Sequence, residues 1–207
     1  PLTQLWRGAF RTGEWPGDGA IEAARRRTNW RLVKLDSRTT SIELATADMR
    51  LDFGGIGQGI AADHALRVLR EHGCQSALVD ISGDVALGDS PPERDGWTID
   101  VRFHDSDASE SRLSLSNCAV TTSGSSGRSV EFAGRPGVRW SHIIDPREGL
   151  PLHNAGGVCV IARDATTADA LATTFSVLSP DEARTLAAQF SGVRVIFEHP
   201  GLVGGNP

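Results

Sequence analysis

The chain has 207 residues, of which 39% are hydrophobic, and its formal net charge is −5. A chain of this length and composition can bury one sizeable core or two small ones, so we expect a globular fold. The negative charge argues against a nucleic-acid partner, because proteins that bind a phosphate backbone usually present a basic surface to it.

No apolar run reaches the length of a membrane span, and no export signal is visible. Because the chain begins with Pro1 instead of methionine, we expect the parent protein to have further residues upstream. Cys74, Cys118 and Cys159 lack the paired spacing of a zinc or redox motif and are expected to be buried or half-buried free thiols.

The N-terminal region is predicted to hold one helix and one hairpin. Pro1–Asp18 mixes aromatic residues with glycines and is predicted to be an irregular connection. Ala20–Arg27 is predicted to be a short helix. Arg31–Leu35 and Ser41–Ala45 alternate in polarity, which predicts a hairpin with its turn at Asp36–Arg38.

The next segment has the pattern of a strand, a glycine-rich turn, a helix and a second strand. We predict a strand at Leu51–Phe53, the turn at Gly54–Gly59, a helix over Ile60–His72 closed by Gly73, and a strand at Ala77–Ile81. The predicted buried side of the helix consists of Ile60, Ala61, Ala65, Leu66, Val68 and Leu69. The two strands could pair in parallel.

The rest of the chain is predicted to be mainly strands, followed by two helices and a last strand. The strands are Trp97–Phe103, Arg112–Leu115, Ala119–Ser123, Trp140–Ile144 and Gly157–Ala162. The final elements are helices at Thr166–Leu178, with Asp164 as its cap, and Asp181–Phe190, and a strand at Val193–Phe197. The predicted fold class is therefore α+β, with mixed, largely antiparallel sheets packed with helices.

The run LDFGGIGQG at residues 51–59 is the sharpest local motif. Glycines let a backbone approach a ligand closely, and the amide groups at the start of the following helix could bind a phosphate. A tight turn without a ligand is an equally good interpretation. Gly57, Gly59 and Ala62 also fit a dinucleotide-binding pattern with Asp80 as the ribose acid. The antiparallel strands that follow argue against a doubly wound sheet, so this remains a minor alternative.

Three further patterns could carry chemistry. His142, in the strand motif SHIIDP, could exchange a proton near neutral pH, although a structural histidine is the commoner case. Asp169 and Thr173 share a helix face and could both reach one Mg²⁺, or could be an ordinary helix acid and a threonine bonded back to the helix carbonyls. The strand end VTTSG, at residues 120–124, is compatible with a ligand site or a plain turn.

Together and in this order, five segments resemble the ApbE family of FAD:protein FMN transferases over about Pro1 to Phe197. They are LDFGGIGQGIAAD, ALVDISGDVALG, VTTSG, SHIIDPREGLPL and ADALATTFSVL. The resemblance implies an ApbE-like fold and a single FAD- and magnesium-binding domain over residues 1–207. This domain would be the C-terminal two thirds of the family's length, without the N-terminal part that holds the flavin ring.

The resemblance implies a Mg²⁺-dependent reaction with FAD as the substrate. A threonine hydroxyl of an acceptor protein, a redox-complex subunit, would attack the FMN phosphorus, giving flavinylated protein and AMP. FAD pyrophosphatase activity, giving FMN and AMP, and flavin binding without catalysis are the alternatives. By the same analogy the protein would be periplasmic, with a possible membrane tether through the missing N-terminus.

The resemblance also assigns residues to the site. Asp169 and Thr173 would be side-chain ligands of Mg²⁺, the Gly55 carbonyl would be a main-chain ligand, and Ala172 stands where some members have another acid. The FAD contacts would be Asp52, Gln58, Ser123, Gly124, Ile144 and Asp145. His142 matches the family's histidine that has an acid or base role. The resemblance implies that His142 and Asp169 are the catalytic residues. Gln58 replaces the family's usual lysine, which removes a positive charge near phosphate.

Overall fold

The computed structural model describes residues 1–103, 111–124, 129–153 and 156–198. The chain forms two compact units. The first consists of Pro1–Asp52 and Arg128–Asn154, and the second of Phe53–Gly127 and Ala155–Pro207. This division into compact units does not test the expectation of one FAD- and magnesium-binding domain over residues 1–207, which stays a prediction.

The described residues contain five α-helices and twelve strands. The helices are α1 (Leu2–Thr12), α2 (Asp18–Arg27), α3 (Gly57–Glu71), α4 (Ala165–Phe175) and α5 (Pro180–Ala187). The strands are β1 (Val33–Asp36), β2 (Ser41–Leu44), β3 (Leu78–Ile81), β4 (Asp84–Leu87), β5 (Trp97–Val101), β6 (Ser111–Leu115), β7 (Ala119–Ser123), β8 (Ser129–Val130), β9 (Trp140–Asp145), β10 (Leu150–His153), β11 (Val158–Ala162) and β12 (Arg194–Phe197). In the described part of the chain, no helix has both the length and the hydropathy that crossing a membrane requires.

The first unit is built on helix α1, where an irregular connection was predicted. That prediction is wrong because Leu2, Trp6 and Ala9 recur at helical spacing and are buried together. Gly13, with φ of 73°, ends the helix in the left-handed conformation that glycine adopts most readily. The indole Nε1 of Trp6 donates to the carbonyl of Gly149 at 2.8 Å, which fixes the helix to the turn between β9 and β10.

The helix, the hairpin and the Trp140–Ile144 strand predicted in the first unit are confirmed. The helix predicted at Ala20–Arg27 is α2, which begins at Asp18. Strands β1 and β2 form the predicted antiparallel hairpin, but Asp36 is the last residue of β1 and the turn is at residues 37–40 instead of Asp36–Arg38. Strands β10, β9 and β8 form a three-stranded antiparallel sheet in that order, and β9 covers the predicted strand.

The second unit is an antiparallel sheet of five strands, in the order β12, β11, β7, β4, β3. Alternate residues of its interior strand β11 belong to different cores. Val158, Val160 and Ala162 pack with α3, α4 and α5, whereas Cys159 and Ile161 pack with the two-stranded ribbon β5–β6. The sheet therefore lies between a layer of helices and a ribbon, which is an α+β arrangement, as predicted.

Two strand predictions are wrong. Residues 51–53 are not a strand, and β3 pairs antiparallel with β4 instead of in parallel with an earlier strand. All strand pairings among the described residues are antiparallel, so the expected mixed sheet is not seen there. The three cysteines are free thiols, as predicted, and Cys118 and Cys159 are half-buried and buried, but Cys74 is exposed, which the prediction of buried or half-buried thiols did not include.

The buried side of α3 also differs from the prediction. Gly59, Ala62 and Leu66 are its buried residues, and Ile60 is 47% exposed. The reason is steric: a Cβ on Gly59 would lie 2.2 Å from the carbonyl oxygen of Ala165. The face that packs against α4 must therefore be made of small residues, and the larger apolar Ile60 is turned outward.

Candidate functional site

The glycine-rich turn lies directly against helix α4. A Cβ built on Gly55 would stand 3.0 Å from both Oγ1 and Cγ2 of Thr173, so only glycine fits there without displacing the threonine. The N–H groups of Ile56 and Gly57 donate to the carbonyl of Phe53, at 3.2 and 2.7 Å, which closes the turn and starts α3. The sequence-predicted residues Gly55 and Thr173 are thus brought together.

Asp169 is joined to the start of α3. The backbone N–H of Gly59 donates to its Oδ2 at 3.0 Å, and the carboxylate is only 5% exposed. The predicted anion site at this helix N-terminus therefore holds an anion, but the anion is the protein's own carboxylate. A phosphate would have to be bound by other groups than the Gly59 amide.

Burial raises the pKa of the Asp169 carboxyl, and hydrogen bonds from the backbone N–H groups of Gly59 and Gln58 oppose this increase. In the described part of the chain no basic side chain acts on this carboxylate. The positive end of the α3 dipole supplies part of the missing stabilisation. A buried carboxylate without a basic partner is a favourable place for a cation.

Asp63 was not singled out from the sequence, but it positions α4. Its carboxylate accepts hydrogen bonds from the backbone N–H of Ala165 and from both the N–H and the hydroxyl of Thr166, at 2.6 to 2.8 Å. The predicted cap Asp164 accepts from the N–H of Thr167 at 2.8 Å. Two carboxylates therefore fix the first turn of α4, and with it the position of Asp169 one turn later.

The hydroxyls of α4 behave differently from one another. Thr174 Oγ1 donates back to the carbonyl of Ala170 at 2.7 Å, whereas Thr173 Oγ1 has no hydrogen-bond partner within the described residues. Ala172 has a fully buried methyl group, and its carbonyl accepts from the N–H and Oγ of Ser176 at 3.1 and 2.9 Å. Thr173 therefore has the open oxygen, and Ala172 contributes no side-chain ligand.

These oxygens fit the requirements of Mg²⁺. A carboxylate and an uncommitted hydroxyl stand one helical turn apart, with the backbone of Gly55 against the hydroxyl. Mg²⁺ prefers oxygen ligands and commonly keeps water or substrate oxygens in its remaining positions, so a sparse protein set suffices. Within the described residues, no group of three or more His, Cys, Asp or Glu side chains could hold a metal by itself.

The end of β7 is packed tightly beneath α4. The hydroxyls of Ser176 and Ser123 lie within hydrogen-bond distance, with their Oγ atoms 3.1 Å apart. A Cβ on Gly124 would stand 3.0 Å from the Cα of Gly157, so the two backbones are in close contact. The side-chain amide of Gln58 donates to the carbonyl of Ile81 at 3.4 Å. Ser123, Gly124 and Gln58 thus belong to the same unit as Asp169, and their FAD contacts stay predictions.

Strand β9 of the first unit presents His142 outward. Ser141 and Ile143 on either side are buried, whereas His142 is exposed and Ile144 is half-buried, as the predicted alternation requires. An exposed imidazole can meet a substrate. Its acid or base role stays a prediction.

Two acids of the first unit are paired with arginines. Asp145 accepts from the backbone N–H of Arg147 at 2.8 Å and from its guanidinium at 2.6 to 3.0 Å, which organises the turn from β9 to β10. Asp52 forms an ion pair with Arg7 at 3.0 Å. The predicted FAD contacts at Asp52 and Asp145 would have to be made beside these arginines.

The alternative of a dinucleotide fold is wrong. Asp80 accepts from the N–H of Gly83 at 2.8 Å and so stabilises the turn between β3 and β4. Its sheet is antiparallel throughout, so there is no parallel strand order to form the crevice that a doubly wound fold uses.

Comparison with known proteins agrees with the resemblance to the ApbE family that the sequence motifs indicate. A model of the ApbE family matches residues 1–197. The chain is 34% identical to the FAD:protein FMN transferase of Treponema pallidum, over 95% of this chain and 58% of the relative. It is 33% identical to a protein of the same name from Klebsiella pneumoniae, over 95% of this chain and 60% of the relative. It spans about three fifths of the length of these relatives.

The fold is also similar to that of a solved ApbE structure. The crystal structure of the ApbE protein from Thermotoga maritima superposes with a TM-score of 0.78 at 30% identity, covering 89% of this chain and 59% of that one. The layered sheet and helices that carry the glycine turn and Asp169 are therefore similar in architecture to this solved structure.

Proposed function

Because this chain belongs to the ApbE family, we propose that it acts as a magnesium-dependent FAD:protein FMN transferase. The observation that carries the proposal is the meeting of the glycine-rich turn with α4. Gly59 holds the Asp169 carboxylate, and Gly55 faces the open hydroxyl of Thr173. This pair of oxygens would hold Mg²⁺, and the Gly55 carbonyl is proposed as its main-chain ligand.

When bound, Mg²⁺ supplies positive charge that neutralises and orients the pyrophosphate of FAD for an in-line displacement. The chain's own contribution is positioning. The Asp63 and Asp164 caps fix α4, and the close approach of α3 at Gly59 keeps the carboxylate buried. A rigid, buried carboxylate loses little free energy to reorganisation during the reaction.

In the proposed reaction, the hydroxyl oxygen of an acceptor threonine attacks the phosphorus of the FMN half of FAD. The bond from that phosphorus to the AMP oxygen breaks, and AMP leaves. His142, at an exposed position of β9, is proposed to take the proton from the attacking hydroxyl, because an imidazole exchanges protons near neutral pH.

We also propose, from the family resemblance, that the acceptor is a subunit of a redox complex and that the protein acts on the periplasmic side of the membrane. Labelling of the intact cell surface or periplasm with an antibody to the parent protein would test the location, and a purely cytoplasmic signal would contradict it.

The activity is tested by incubating the protein with FAD and Mg²⁺, with EDTA as the control, and measuring FMN and AMP by chromatography. An acceptor peptide is then supplied in two forms, with threonine or with valine at the target position. A mass increase of one FMN on the threonine form alone supports transfer. FMN and AMP without a peptide adduct would indicate hydrolysis of FAD, and no products from the folded protein would contradict both activities.

A further inference from the structure

Asp84 is a carboxylate on the side of the five-stranded sheet that faces the helices. In β4 it lies opposite Ile81 of β3 and Thr121 of β7, and Val160 of β11 continues the row. Ile81 and Val160 belong to the apolar core beneath the helices. Because directly paired residues project from the same face of a sheet, Asp84 and Thr121 also point toward the helices.

Asp84 is buried with only a neutral partner. It is 5% exposed and Thr121 is 2% exposed, and Thr121 Oγ1 donates to Asp84 Oδ1 at 2.7 Å. No basic side chain of the described residues acts on Asp84. Burying a carboxylate in this way costs free energy, and a nearby positive charge would offset that cost.

The negative charge of Asp169 acts on Asp84. Burial is the largest cause that raises the pKa of Asp84, the Thr121 hydroxyl opposes it, and the charges of Asp169 and Asp80 raise it further. Asp80 is exposed, and its carboxylate accepts from the N–H of Gly83. The second buried acid near Asp84 is therefore Asp169, the proposed magnesium ligand.

The hairpin that carries Asp84 is fixed relative to the glycine turn. Ser82 and Gly83 form its turn with φ of 55° and 98°, and the Asp80 carboxylate closes it. The side-chain amide of Gln58, in the first turn of α3, donates to the carbonyl of Ile81 at 3.4 Å. The turn between β3 and β4 and the contact from α3 therefore both fix the position of Asp84.

We propose that Asp84 is a positioning residue for the cation held by Asp169 and Thr173. Its fixed negative charge strengthens the attraction of this buried place for a divalent cation, and the Thr121 hydroxyl holds the carboxylate in orientation. The inference rests on the proposed function, since it takes Mg²⁺ to be the cation. Loss of a supporting residue around the ligands of a metal typically changes its affinity by about 10- to 100-fold.

The test is calorimetric titration of the protein with Mg²⁺ alone. Asp84→Asn keeps the shape of the side chain and can still accept from Thr121, but it removes the charge. We expect its affinity for Mg²⁺ to be about 10- to 100-fold weaker than that of the wild type. Excess Mg²⁺ should restore most of the rate of FAD cleavage. Asp181→Asn, at a side chain that is 95% exposed, is the matched control for loss of one negative charge and should bind Mg²⁺ normally.

A merely structural role would give a different result. It predicts that Asp84→Asn lowers the melting temperature and leaves the Mg²⁺ affinity of the folded protein unchanged, and this outcome would overturn the inference. If Asp169→Asn abolishes binding while Asp84→Asn binds normally, the proposed function stands and this inference fails. If the wild type does not bind Mg²⁺, both fail.

A second pair of variants keeps the inference testable if Asp84→Asn does not fold. Thr121→Ser retains the hydroxyl donor, and Thr121→Val replaces it with a methyl group of similar volume. We expect weaker Mg²⁺ binding from the valine variant and near wild-type binding from the serine variant. Equal affinities in two folded variants would overturn the positioning role.

Discussion

The backbone N–H of Gly59 donates to Oδ2 of Asp169 at 3.0 Å, although the two residues are 110 positions apart in the chain. This bond joins the first turn of α3 to α4 and places the positive end of the α3 dipole beside a buried carboxylate. The helix terminus that the sequence pattern assigns to phosphate therefore serves to hold one of the protein's own acids.

Replacing Gly59 with alanine should destabilise the protein by about 1–3 kcal/mol or more. The added Cβ would lie 2.2 Å from the carbonyl oxygen of Ala165 and 2.9 Å from the Cβ of Asp169, so α3 and α4 would have to move apart. The free energy of unfolding, measured by urea titration, checks this result.

The control is Gly57→Ala in the same helix. The nearest atom to a Cβ there is the Cβ of Phe53 at 3.7 Å, which is ordinary van der Waals contact. This variant should be neutral or more stable, because alanine loses less backbone entropy than glycine in a helix. Equal losses at both positions would contradict the steric argument.

Replacing Asp169 with asparagine should lower FAD turnover by at least about 100-fold, because the amide has no negative charge with which to hold Mg²⁺. The fold should be retained to within about 1 kcal/mol, since the amide oxygen can still accept from the Gly59 N–H. Rates and urea unfolding are measured on the same preparation. A wild-type rate from a folded variant would remove Asp169 from the metal site.

Sequence patterns locate the elements of the site more readily than its contacts. The limits of β7 and the Asp164 cap of α4 are local features, so the sequence predicts them. The contact between Gly59 and Asp169 depends on how two helices pack, and no short-range pattern contains it. The only trace of this helix contact in the sequence is that Gly59 and Ala62 are small residues on one face of α3. A pattern of hydrophobic residues does not show it.

Helix α1 and strand β4 are not predicted from the sequence, and each omission has a physical reason. Helix α1 carries glycine and is followed by Trp15 and Pro16, which favoured an irregular interpretation, although its buried stripe of Leu2, Trp6 and Ala9 has helical spacing. Strand β4 follows a two-residue turn with positive φ at Ser82, a non-glycine residue, and that conformation is uncommon. No strand is predicted there, so the sequence pattern does not point to Asp84 either.

Replacing His142 with alanine should lower FAD turnover by about 100-fold or more if the imidazole takes the proton from the attacking hydroxyl. The side chain is exposed on β9, so its loss should change stability little. The rate is measured as a function of pH, and the limb contributed by the imidazole should disappear. His64→Ala, on the exposed side of α3, is the control, and equal rates in both variants would return His142 to a structural role.

The metal-free protein should lose stability as pH rises from about 4 to about 6, and Asp84 should be one cause. Burial, with the charges of Asp169 and Asp80, raises the pKa of Asp84 from 3.8 to about 6, and the Thr121 hydroxyl opposes the increase. Over this range the folded state keeps a proton that the unfolded state releases. The stabilisation is therefore complete below pH 3.8 and is lost as pH rises through about 6, at a cost of up to about 3 kcal/mol.

Asp84→Asn removes the titrating group, so its free energy of unfolding should vary less over this pH range in the presence of EDTA. At pH 7 the variant should be at least as stable as the wild type, because it buries no charge. Asp181→Asn, an exposed carboxyl, should leave the pH dependence unchanged. Parallel pH profiles for the wild type and Asp84→Asn would mean that the pKa of Asp84 is not raised in the folded protein, and this outcome would contradict the prediction.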